Sequence, residues 1–166
     1  FVEPRGVAML LQPVVMGLNG RSVVKGESPL RGRLGEQVLD ACLTLVDDPH
    51  VDFRPGSAEV DDDGVPTRVN HLFEAGVLRQ FLFDLDTAGM AGCPPTGNSG
   101  CRPYGLTLRP GTCPHARLLE GIADGLCVKI LLGFGQTPNF LNGDFSANVG
   151  LGFRVRDGQI VGRVKN

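Results

Sequence analysis

Apolar positions along the chain change their period several times, and each change marks an element. Val7, Leu10, Leu11, Val14 and Leu18 recur at helical spacing and predict a helix over residues 4–18. Pro4 suits its first turn. Pro13 lies inside it and must kink or restart it, because the ring lacks an N–H and crowds the preceding turn. Gly17 and the pair Asn19-Gly20 supply stop signals. The polar, glycine-rich stretch RSVVKGESPLRGRLGEQ (21–37) reads as an ordered loop, and LTLV (43–46) as a short strand. DDPHVDFRPGSAEVDDDG is then a long acidic loop. TRVNHLFEAGVLRQFLFD alternates around Glu74-Ala75-Gly76 and reads as a hairpin.

A short helix is expected over 84–91 and a loop rich in breakers, CPPTGNSGCRP, over 93–103. YGLTL is a strand. Thr112 and Pro114 open a second helix that should end near Gly125. CVKILLG (127–133) reads as a buried strand, and DFSANVGLGFRVRDGQIVGRV as a hairpin turning at Asp157-Gly158. Two main helices and several antiparallel hairpins, sheet-like or barrel-like, make an α+β fold. No repeat or linker divides residues 1–166, so a single domain is expected.

Composition narrows the class. The chain has 166 residues, 42% of them apolar and 20% charged, with 24 glycines and 12 prolines. That favours turns and hairpins over long helices. A net charge of −2 without a basic block gives no footprint for nucleic acid. No apolar run reaches the length of a membrane span. Five scattered cysteines without a CxxC pair point to a reducing compartment, hence the cytoplasm.

The candidate chemistry is sparse. VDDDGVPTR (60–68) packs three carboxylates that could hold a hard cation, but counting from Asp61 the fifth position is Val65 and the twelfth Leu72, which breaks the calcium-loop pattern. A solvated turn feeding a strand is the expected role. His50, His71 and His115 have no metal-ligand spacing. Cys93, Cys101 or Cys113 with His115 as base would make a thiol-dependent hydrolase, although a free cysteine is more often a small buried hydrophobe. LLGFGQTP lacks the last glycine of a dinucleotide loop. These residues by themselves support a scaffold or interaction domain.

GRLGEQV, VDDDGVPTR, LFEAGVLRQFLFD, PTGNSG, NGDFSANVGLGF and RVRDGQI occur in an order and spacing that resembles the TldD/PmbA (TldE) family, the "modulators of DNA gyrase", over essentially the whole chain. The resemblance implies a metallopeptidase-type C-terminal domain cut at both ends. It also implies a two-subunit assembly. A TldD-type subunit carries HExxxH and zinc, and a PmbA/TldE-type subunit lacks the motif. Their known roles are proteolysis of unfolded or small proteins and peptide maturation. Counting back from Gly17-Leu18-Asn19-Gly20 and Gly32-Arg33-Leu34-Gly35-Glu36, the HExxxH positions here read LQPVVM. Leu11 and Met16 stand for the histidines and Gln12 for the glutamate. None of the five cysteines falls where the family's ligand cysteine would. The expectation is therefore a non-catalytic subunit with no metal or catalytic residue of its own, with zinc in its TldD-type partner. The expected partners are that subunit and an extended peptide, with neither nucleic acid nor membrane; a homodimer of the fragment is a further option. Thr96, Gly97, Asn98 and Asp144 are the residues expected near partner or substrate.

Overall fold

The computed structural model describes residues 1–133 and 146–164. In chain order these form helices α1 (Pro4–Leu10), α2 (Gln12–Leu18) and α3 (Gly20–Lys25), strands β1 (Leu45–Asp47), β2 (Asn70–Glu74) and β3 (Val77–Leu78), and helix α4 (Leu85–Ala91). Strands β4 (Leu106–Leu108), β5 (Asp124–Leu132), β6 (Asn148–Arg156) and β7 (Gln159–Val164) follow. One sheet has the order β3-β2-β1-β4 and the other β5-β6-β7, and all their pairings are antiparallel. The fold class is α+β as the pattern predicts. Neither sheet closes into a barrel among the described residues. The backbone contacts divide the chain into two compact units, Val15–Gly111 and the pair of segments Phe1–Val14 and Thr112–Asn166.

The predicted long helix breaks at Leu11, two residues before Pro13. Pro13 thereby occupies the second position of α2, where a missing N–H costs nothing. The expected loop over 21–37 begins instead with α3. Asn19 is not a stop signal but the cap of α3, its side chain accepting from the Arg21 and Ser22 amides at 3.0 and 3.4 Å. Gly26, at φ +79°, ends the helix in the left-handed region.

Within the unit Val15–Gly111, the four-stranded sheet and helices bury Leu18, Leu45, Leu72, Phe73, Leu78 and Leu82 almost completely. Across the sheet Leu45 faces Phe73 on one side and Leu108 on the other, and Phe73 also faces Leu78. The hairpin turn falls at Ala75-Gly76 as expected. Helix α4 is capped by Asp84 and ends at Gly92.

In the other unit, Phe1–Glu3 runs beside β5. The Glu3 amide donates to the Val128 carbonyl and the Val128 amide to the Phe1 carbonyl, both at 2.9 Å. The β6–β7 hairpin turns at Asp157-Gly158 as predicted. The predicted helix between Thr112 and Gly125 is absent; a single 3-10 turn over His115–Arg117 stands in its place. Too few residues separate Pro114 from Gly121 to offset the cost of helix nucleation, and β5 claims the chain from Asp124. The stretch read as a buried strand is mostly half-buried, with Cys127 buried and Leu132 exposed.

Candidate functional site

Polar side chains inside an apolar sheet are costly unless they are fully bonded, and the loop PTGNSG sits on such a cluster. Asp47, Asn70 and Asn98 are each at most 1% exposed. Asn98 donates from Nδ2 to Asp47 Oδ2 at 2.7 Å and to the Arg102 carbonyl at 3.0 Å. The other Asp47 oxygen accepts from the Gly105 amide at 2.6 Å. Asn70 Nδ2 donates to Asn98 Oδ1 at 3.0 Å and to the Thr96 carbonyl at 3.2 Å, while its own Oδ1 accepts from Gln80 Nε2 at 2.8 Å. Strands β1 and β2 set this up, since Asp47 and Asn70 are register partners. The loop after α4 lays Asn98 across them.

Thr96 ties the same loop to the end of the hairpin. Its Oγ1 accepts from the Phe83 amide at 2.9 Å and donates to the Phe83 carbonyl at 3.0 Å. Gly97 has φ +73°, and a Cβ there would come within 2.5 Å of the Pro66 carbonyl oxygen, so only glycine fits. Thr96, Gly97 and Asn98 are thus brought together, buried and bonded within the unit. The fourth expected site residue, Asp144, lies outside the described residues. Composition and spacing could not have singled out Asp47, Asn70 and Gln80. For Asp47 and Asn70 the one signal is a polar residue at an inward strand position; Gln80 lies past the end of β3.

A second buried cluster adjoins α4. Asp84 Oδ1 accepts from the Thr87 amide at 2.9 Å and from Thr87 Oγ1 at 2.6 Å, and Arg21 stands 3.6 Å from Oδ2. Cys101 Sγ accepts from the Asp84 amide at 3.4 Å and lies 3.2 Å from Thr87 Oγ1. Burial alone would raise the Asp84 carboxyl, but the Thr87 donors, Cys101 and the Arg21 charge together hold it below the usual carboxylate range.

The three aspartates separate in the structure. Asp61 is buried, and its Oδ1 accepts from the Asp63 and Val65 amides at 3.0 and 2.8 Å, which closes the turn. Its Oδ2 is buried without a donor. Asp62 and Asp63 are exposed. The role is a turn as expected, but Asp61 is its buried anchor rather than a solvated residue. Among the described residues no three His, Cys, Asp or Glu side chains group as a metal site. His50 bonds Thr67 Oγ1 at 2.9 Å, His71 is exposed on β2, and His115 packs edge-on against the Phe1 ring. Among the thiols, burial pushes Cys93 up, and Cys113 points to the neighbouring Pro114 carbonyl at 3.7 Å. The Cys93 shift disfavours the thiolate that a nucleophile needs.

The stretch LQPVVM runs from the end of α1 into α2. Leu11 is the break between α1 and α2, and Gln12 and Met16 are exposed on α2. A Leu side chain cannot ligate zinc, an amide is no general base, and a thioether is too soft for a hard-to-borderline ion. These residues do not fit a zinc centre.

The family model for the PmbA/TldA metallopeptidase C-terminal domain matches residues 1–166. The chain belongs to the TldD/PmbA metallopeptidase family. A metalloprotease of Methanothermobacter thermautotrophicus is 34% identical over 152 residues, covering 87% of this chain and 33% of the relative. The chain therefore spans about a third of the length of that relative. A crystal structure from Thermotoga maritima, described as a candidate modulator of a DNA gyrase, superposes with a TM-score of 0.91 at 33% identity. It covers 99% of this chain and 39% of that one. TldE from Thermococcus kodakarensis gives 0.86 at 29% identity, covering 98% of this chain and 39% of its own. This chain is thus a metallopeptidase-family domain by its sequence and its fold. No helix among its described residues is long and apolar enough to cross a membrane.

Proposed function

We propose that this TldD/PmbA domain belongs to a non-catalytic, PmbA/TldE-type subunit. It pairs in the cytoplasm with an HExxxH-bearing TldD-type subunit to degrade unfolded proteins or mature peptides. The observation that carries the reading is the identity of Leu11, Gln12 and Met16 at the family's HExxxH positions. Those side chains supply neither zinc ligands nor a base for zinc-bound water. The catalytic metal then belongs to the partner, and this chain contributes walls and a hold on the substrate. Strand β7 suits that hold. It lies at the end of the β5-β6-β7 order, and its Ile160 and Val161 are both exposed. An extended peptide adding to such an edge is held by main-chain hydrogen bonds that are indifferent to sequence. Thr96, Gly97 and Asn98, in the unit Val15–Gly111, keep their own loop in shape near partner or substrate. Asp144 completes the proposed set near partner or substrate.

Zinc content of the full-length protein tests the reading, measured for the protein alone and after co-expression with an HExxxH-bearing homologue. The expected result is no zinc alone and about one per pair. Stoichiometric zinc in the protein alone overturns it.

A further inference from the structure

Residues three and four apart share one face of a helix, and two such faces line a groove between α3 and α4. Arg21, Val24 and Lys25 come from α3, and Asp86, Thr87 and Met90 from α4; the groove has a volume of about 310 Å³. Both helices belong to the unit Val15–Gly111. The walls are fixed in place. Asn19 and Asp84 cap the two helices, Gly26 and Gly92 end them, and the Gly20 amide holds the start of α3 to the Leu82 carbonyl at 2.8 Å. Thr87 is 3% exposed, and its hydroxyl is spent on Asp84.

The charges of the groove fall into two halves that do not meet. Arg21 and Lys25 stand one turn apart on α3, Asp86 stands on α4, and all three are exposed. Arg21 lies 3.6 Å from the buried Asp84 carboxylate, a charge contact longer than a hydrogen bond, which leaves its planar fork of donors free for a ligand. Among the described residues neither Lys25 nor Asp86 forms an ion pair. Past Lys25, the exposed Glu27 and Arg31 carry one charge of each sign and leave the balance unchanged. The half-buried Val24 and the exposed Met90 add apolar surface to the same groove. Two cations on one wall, a carboxylate on the other and apolar surface with them match a small molecule that carries both a carboxylate and an ammonium on an apolar body.

We propose that this groove binds a small apolar zwitterion, a free amino acid or a dipeptide. Its carboxylate bonds Arg21 and Lys25, its ammonium bonds Asp86, and its side chain packs on Val24 and Met90. Peptide cleavage releases molecules of this class. The site does not depend on the pairing reading above.

The test is methyl NMR of the full-length protein without a partner, with the methionine methyl groups labelled and the Met90 signal assigned through Met90→Leu. Leucine, leucyl-leucine and the doubly capped N-acetyl-leucinamide are each titrated to roughly 10 mM. Leucine or leucyl-leucine shifts the Met90 methyl saturably. The capped probe keeps the apolar body, lacks both charges and binds roughly tenfold more weakly. Lys25→Gln and Asp86→Asn each weaken zwitterion binding by roughly threefold to fivefold. Both variants unfold near the wild-type temperature, because both side chains are exposed. A response to leucyl-leucine alone assigns the groove to peptides, and a response to leucine alone assigns it to free amino acids. No saturable shift with either zwitterion overturns the proposal. So does a capped probe that binds as well as leucine, or a pair of variants that both bind like wild type. None of these outcomes changes the zinc content that tests the pairing reading.

Discussion

Thr87 shows how one hydroxyl can carry a buried charge. Its Oγ1 donates to Asp84 Oδ1 at 2.6 Å, beside an amide doing the same at the N-cap of α4. The folded carboxyl of Asp84 is depressed, so the stability it contributes is present above the ordinary carboxylate pKa of about 3.9. That contribution is lost as pH falls through the lower folded value. Thr87→Val keeps the volume and removes the donor. Chemical denaturation at neutral pH should show a loss of about 1–2 kcal/mol. The gap between variant and wild type should close as the pH falls well below 4. A gap that stays constant with pH would mean that packing, not the charge, sets the effect.

At the scale of the element, α3 depends on its cap more than on its own six residues. A helix this short is unstable by itself. Asn19 satisfies two of its first amides, and Nδ2 reaches the Cys101 carbonyl at 3.1 Å, so the same side chain ties the helix start to the loop after α4. The Gly20 amide donates to the Leu82 carbonyl at 2.8 Å, which holds the first residue against the end of the hairpin. Asn19→Ala should cost about 1–2 kcal/mol in urea unfolding. Asn19→Asp, which keeps the capping oxygen but loses the Nδ2 donor, should recover only part of it. Full recovery would leave the capping bonds as the whole effect.

Over the whole molecule, charge separates two uses that the gyrase-linked name of a relative could suggest. The net charge is −2, and the arginines are dispersed: Arg33, Arg79, Arg117 and Arg154 are each within 3.2 Å of a carboxylate. Affinity for duplex DNA comes mainly from phosphate neutralisation by a concentrated basic face. A filter-binding assay at low salt should therefore find no DNA binding by the full-length protein. Salt-sensitive binding in the micromolar range or tighter would require a basic face from elsewhere in that protein.

Local chemistry was enough for several features. The turns at Ala75-Gly76 and Asp157-Gly158, the restart of the first helix around Pro13, the short helix before Cys93 and the antiparallel α+β class all follow from positions where only a few residue types fit. Leu11, Gln12 and Met16 are likewise incompatible with zinc whatever the fold, since ligand chemistry belongs to the side chain. Other features needed tertiary contacts. Asn19 looked like a stop because the same residue type ends helices and starts them, and only the chain that follows decides which. Residues 112–125 have good helical caps and no helix, because the segment left before β5 takes the chain at Asp124 is too short to offset the cost of nucleation. Thr96, Gly97 and Asn98 read as part of a breaker-rich loop near partner or substrate, and the structure buries all three. Asp47 and Asn70 pair across β1 and β2 and need donors and acceptors that the loop after α4 supplies. Their sequence separation hides that need, and the cost of an unpaired buried charge makes the contact obligatory.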